Sequence, residues 1–76
     1  SAEIAMVFRE VSPGLVRLGL RANNVDVAAL ARHFGGGGHR LASGATLHGD
    51  LEELVSTVTS TAERYILTGE IDGRGN

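Results

Sequence analysis

The sequence contains no cysteine, no tryptophan and no lysine, and has a single proline. Without thiols there is no disulfide framework and no thiolate metal site, which fits a reducing compartment. Without lysine there is no Schiff-base chemistry and no P-loop lysine. All seven basic residues are therefore arginine, whose planar guanidinium suits bidentate recognition of phosphate. Aromatics are scarce (Phe8, Phe34 and Tyr65), so the core must be built from Ala, Val, Leu and Ile. No apolar run approaches the length of a membrane span and no signal-peptide pattern opens the chain. The expectation is a cytoplasmic protein with no membrane partner. A formal net charge of −2 excludes a generic polyanion binder held by bulk charge.

Seventy-six residues make one domain at most. A chain of this size buries about 60–65% of its unfolded surface, and an apolar content of 42% suffices for one core.

Residues 3–11 alternate as a strand, with Ile4, Met6 and Phe8 on one face and Ala5, Val7 and Arg9 on the other. Ser12-Pro13-Gly14 is a turn signal of a non-primed type, so a bulge is expected beside it. A second strand spans 15–22, with Val16, Leu18, Leu20 and Ala22 opposite in face to Leu15, Arg17, Gly19 and Arg21. Asp26 is a helix N-cap, Val25 and Leu30 have the spacing of a hydrophobic staple, and Val27, Leu30, Ala31 and Phe34 form one apolar stripe. Gly35 ends that helix. After the glycines, residues 39–43 are long enough for one helical turn, stopped by Gly44, and 45–48 reads as a third strand. Asp50 and Glu53 resemble a capping box for a long helix over 50–68, ended by Gly69. Its stripe is Leu51, Leu54, Val55, Val58, Ala62, Tyr65 and Ile66. The tail, 70–76, is expected to fray. The fold expected is α/β: a small, mostly antiparallel sheet in the order β-β-α-loop-β-α, with helices packed on it.

Four consecutive glycines, Gly35 to Gly38, precede His39 and Arg40. Glycine loses more backbone entropy on ordering than any other residue, so four in a row within a small domain require a reason. A glycine-rich segment running into a helix start would present outward N–H groups and a positive dipole end to an anion. His39 adds a donor, and Arg40 and Ser43 stand close in sequence; Arg21, at the end of a strand between small residues, is a second candidate. Neither Gly-x-Gly-x-x-Gly nor Walker A fits: Arg40 and Leu41 fall where the former needs glycine, and the latter needs the missing lysine. His33, His39 and His48 lack metal-ligand spacing, and Ser43 with His39 lacks an orienting carboxylate. A flexible spacer is the plain alternative for the glycines.

Gly-Gly-Gly-Gly-His-Arg-Leu-Ala-Ser-Gly-Ala resembles the GGGH-containing signature of the DHH-associated C-terminal domain of DHH-family phosphoesterases. That family includes RecJ-type exonucleases and bifunctional oligoribonucleases that also act on phosphoadenosine phosphate. Upstream, Leu18-Gly19-Leu20-Arg21-Ala22, then Val25-Asp26-Val27-Ala28, resembles the family's strand ending in Ser-x-Arg-Ser and the short helix after it. Gly19 and Ala22 stand where the family carries serines. The likeness covers roughly residues 6–66.

The resemblance implies a substrate-binding domain of a larger two-domain enzyme. Short oligonucleotides or nucleoside 3′,5′-bisphosphates would be the substrates. Catalytic metals, usually manganese, would sit in an N-terminal DHH domain, where metal-activated water attacks phosphorus; no cofactor is expected in this chain. Gly36, Gly37, Gly38 and His39 match the loop and Arg21 the strand arginine. The loop and Arg21 would hold phosphate, with Arg40 and Ser43 nearby, and His39 would assist catalysis beside the scissile group. The C-terminal domain of an alanyl-tRNA synthetase shares the glycine–histidine pattern, but the compact run favours the phosphoesterase branch. A nucleotide- or RNA-binding module without catalysis, and an interaction domain whose glycines serve packing, are the other readings.

Overall fold

Period-two alternation gives the first two strands one apolar face each, and pairing brings those faces together. In the computed structural model, which describes residues 2–71, they are β1 (Ile4–Ser12) and β2 (Leu15–Ala22). They pair antiparallel with Met6 opposite Leu20 and Phe8 opposite Leu18. Pro13-Gly14 joins them, with Gly14 at φ +81°. The register shifts between Glu10 and Ser12, so Val11 is the extra residue of the expected bulge.

Helix α1 (Val27–His33) begins where Asp26 accepts hydrogen bonds from the N–H groups of Ala28 and Ala29, at 3.0 and 3.2 Å. It ends in a Schellman arrangement. Gly35 N–H donates to the Arg32 carbonyl at 3.0 Å and Gly36 N–H to the Ala31 carbonyl at 2.8 Å. Gly35 takes φ +86°, a left-handed conformation that a Cβ would strain.

The glycine run differs from its expected form. Residues 39–43 do not make a helical turn. Gly37–His39 form a short strand, β3, which turns at Arg40-Leu41 into β4 (Ala42–His48). Gly37, Gly38 and His39 lie opposite Gly44, Ser43 and Ala42. The physical reason is close approach of backbone. A Cβ on Gly36 would lie 2.7 Å from both Cα and Cβ of Ala45, and one on Gly38 would lie 2.7 Å from Ser43 Cα. Only bare backbone lets this segment lie against β4. The turn is also anchored: Val27 N–H donates to the Arg40 carbonyl at 2.7 Å, and Ala22 N–H to the Leu41 carbonyl at 3.1 Å.

The sheet order is β1-β2-β4-β3, antiparallel throughout. One face carries Val16, Leu18 and Leu20 of β2 with Ala45 and Leu47 of β4, all buried. They share one core with Val27, Leu30 and Ala31 of α1 and with Val58 and Ala62 of α2 (Leu51–Thr68). Both helices therefore pack on the same side of the sheet. Helix α2 is capped by Asp50, which accepts from Glu53 N–H at 3.1 Å, and closes at Gly69, whose N–H donates to the Tyr65 carbonyl at 2.8 Å. Its β-branched residues have poor helix propensity, so packing supplies its stability. That packing is narrow: Val58 and Ala62 are buried, but Val55 and Ile66 keep 36% and 37% of their surface exposed. Tyr65 ties the two helices, its hydroxyl donating to the Asp26 carbonyl at 2.9 Å. Of the tail expected to fray, Ile71 packs half-buried against the core, and residues 72–76 lie outside the described residues.

Candidate functional site

The second set of each alternation faces away from the helices, and among the described residues no element covers it. Cross-strand pairing arranges this open face into rows. One row reads Ala5, Arg21, Ala42, His39 across β1, β2, β4 and β3. Arg21 and His39, far apart in sequence, thus flank the small side chain of Ala42. Two strand spacings separate their backbones, roughly 9.5 Å, a gap their side chains can reach across above Ala42. Both are exposed.

The next row reads Val7, Gly19, Gly44, Gly37. Beside these two side chains, then, lies a floor of bare backbone crossing β2, β4 and β3. Its glycines are not alike. A Cβ on Gly44 would lie 2.6 Å from the Leu18 carbonyl oxygen, so internal packing accounts for that glycine. A Cβ on Gly19 or Gly37 would meet nothing within 4 Å, and neither has a positive φ. Glycine inside a strand costs roughly 0.5–1 kcal/mol relative to alanine. At 19 and 37 no contact within the described residues offsets that cost, which is the pattern expected where something external approaches the backbone closely. The third row, Arg9, Arg17, Thr46, adds two more cations to this face.

On the other side of Arg21 lies an open cleft of about 400 Å3, lined by Glu3, Ala5, Arg21, Ala22, Asn23, Leu41 and Ala42. Arg21 therefore stands between the cleft and the glycine floor. Glu3, Asn23, Ala42 and Gly44 were not among the candidate site residues expected from sequence, and Gly19 entered only as a small neighbour of Arg21 standing where the family carries a serine. Glu3 and Asn23 carry no local signal. That Gly19, Ala42 and Gly44 share the open face with Arg21 becomes visible once strand register is known.

The other candidates are distributed differently. Gly36 and Gly38 belong to the packing of β3 on β4. Ser43 lies on the helix side, where its hydroxyl donates to the Val27 carbonyl at 2.6 Å. Arg40 is exposed in the β3–β4 turn, one residue beyond His39. Helix α1 ends, rather than begins, at the glycine run, and residues 39–43 form no helix, so the helix start expected after the glycines is not there. What the arrangement offers an anion is Arg21, His39 and an unobstructed approach to backbone. Among the described residues, no three of His, Asp or Glu stand together as a metal site, and no helix is long and apolar enough to cross a membrane.

The strand arginine and the GGGH histidine thus share one row over a glycine floor. A model of the DHHA1 domain matches residues 1–65. The chain belongs to that family, the DHH-associated C-terminal domain of DHH-family phosphoesterases.

Proposed function

We infer that this chain is the substrate-binding domain of a metal-dependent phosphoesterase acting on short oligonucleotides or nucleoside 3′,5′-bisphosphates. One observation carries the reading: Arg21 and His39 share a row beside a floor on which Gly19 and Gly37 face empty space. A guanidinium with a neighbouring imidazole suits a terminal phosphate. The cleft beside Arg21 has room for the sugar or base attached to it. His39, at the outer end of the row, would sit nearest the scissile group. The described residues offer no ligand set for manganese, so no bond-breaking step is assigned to them; a DHH domain facing this surface would supply the metals. The chain's own work is to bind and orient.

The test is calorimetric titration with adenosine 3′,5′-bisphosphate and with a 5′-phosphorylated dinucleotide, using Arg21→Ala and His39→Ala. A hydrogen bond to a charged group contributes about 1.5–3 kcal/mol, so each variant should lose about tenfold or more in affinity. Both side chains are exposed, so thermal unfolding should stay near that of the unaltered chain. Undiminished binding by both variants would refute the reading.

A further inference from the structure

The open sheet face is predominantly basic, with Glu3 beside the Arg21 cleft as the carboxylate at its far end. The formal net charge is −2, yet the open face carries Arg9, Arg17, Arg21, His39 and His48. From the Arg21 row to the β1–β2 turn, no Asp or Glu occupies a paired position on that face. Glu10, the one carboxylate within β1, falls in the row of Val16 and Leu47 on the helix side. Asp50, Glu52, Glu53 and Glu63 lie on or beside α2.

Within the basic face, Arg9 lies directly opposite Arg17. Opposed residues of an antiparallel pair have Cβ atoms about 4.5–5.5 Å apart, and like charges there are destabilising. Their row continues to Thr46, a hydroxyl donor, and both arginines are exposed. An anion seated between the guanidiniums would turn this repulsion into two charge-assisted hydrogen bonds. The glycine row lies between this pair and the Arg21–His39 row, so bare backbone connects the two. Arg17 and Arg21 are four residues apart on β2, a span of ~13 Å. Stacked nucleotides at about 3.4 Å per step cross that distance in about four steps, and an extended strand in fewer.

We propose that the Arg9–Arg17 pair, with Thr46, is a second phosphate subsite, which takes an internal phosphate of a single-stranded oligonucleotide whose terminal phosphate lies at Arg21 and His39. This rests on the phosphate-binding reading of the Arg21 row and extends it: the chain selects oligonucleotides of about three to five nucleotides over mononucleotides. Recognition is by phosphate and independent of base sequence, because arginine–phosphate contacts carry no sequence information and no Phe, Tyr or Trp shares these rows.

The test compares AMP with 5′-phosphorylated penta-adenylate and penta-uridylate, titrated into the unaltered chain and into Arg9→Gln/Arg17→Gln, with amide NMR spectra confirming that the variant is folded. Both pentanucleotides should bind the unaltered chain at least fivefold more tightly than AMP. In the double variant that advantage should vanish while AMP affinity is unchanged. The dependence of log K on log salt should flatten by about 0.7 for each phosphate that an arginine no longer neutralises. An advantage that survives the double substitution, or an equal loss for AMP and pentanucleotide, overturns the second subsite and leaves the first intact. Failure of the unaltered chain to bind any of the three overturns both.

Discussion

Replacing Gly37 with alanine adds one methyl group above the floor of the open face. The added Cβ would meet nothing within 4 Å, and Gly37 has no positive φ to be strained. By itself the substitution removes backbone freedom from the unfolded chain and should stabilise the fold by roughly 0.5–1 kcal/mol. One kcal/mol moves the melting temperature of a domain this size by about 4–8 °C. Gly37→Ala should therefore melt a few degrees higher. Its neighbour supplies the contrast. The Cβ of Gly36→Ala would lie 2.7 Å from Ala45 Cα and Cβ, so β3 must move off β4. Overpacking of that kind costs about 1–3 kcal/mol, a serious loss for a domain whose whole stability is on the order of 4–11 kcal/mol. Ligand binding should run the other way. A methyl group where a phosphate-bearing ligand must lie against backbone should cost about 1–3 kcal/mol of affinity, or about five- to 150-fold in Kd. Thermal unfolding followed by circular dichroism, together with titration of adenosine 3′,5′-bisphosphate, reads both quantities. If Gly37→Ala proves as destabilised as Gly36→Ala, an internal contact explains the glycine. If it is more stable and binds undiminished, nothing approaches that floor.

Other expectations separate scaffold from site. Ser43→Ala should lose about 0.5–1.5 kcal/mol of stability, because the hydroxyl donates to the Val27 carbonyl at 2.6 Å, with no change in nucleotide affinity; urea unfolding and titration check the two halves. Asp26→Ala, which removes the cap bonds to Ala28 and Ala29, should cost about 1 kcal/mol by the same unfolding measurement. The 76-residue chain with added manganese should not hydrolyse a dinucleotide or phosphoadenosine phosphate, since its described residues lack a metal ligand set; turnover detected by chromatography would contradict this. In an enzyme that includes a DHH domain, His39→Ala should reduce turnover heavily while circular dichroism stays unchanged.

Much of the fold was legible because it depends on local periodicity and local hydrogen bonds. The alternation of Ile4, Met6, Phe8 and of Val16, Leu18, Leu20 identified the buried face of the first hairpin. Asp26, Gly35, Asp50 and Gly69 marked helix ends, because capping is decided within a few residues. The β3–β4 hairpin was not legible. Glycine has low strand propensity, and Arg40-Leu41 is not a recognisable hairpin turn. Gly37–His39 are a strand because Gly36 and Gly38 can touch Ala45 and Ser43, a tertiary fact with no local signature. The site followed the same division. Arg21 and His39 could be named from residue type and resemblance, but their common row depends on the pairing of β2, β4 and β3. Ser43 shows the converse limit: its nearness to His39 in sequence says nothing about face, and alternation turns it toward α1.

Phosphate binding on the open sheet face, at the row joining Arg21 to His39, underlies every functional expectation above. Amide chemical-shift mapping of the chain titrated with adenosine 3′,5′-bisphosphate would locate it. The largest shifts should cluster at Gly19, Arg21, Gly37, His39, Ala42 and Gly44, with α2 undisturbed. Shifts concentrated on the helices, or none at millimolar ligand, would show that phosphate is not bound there.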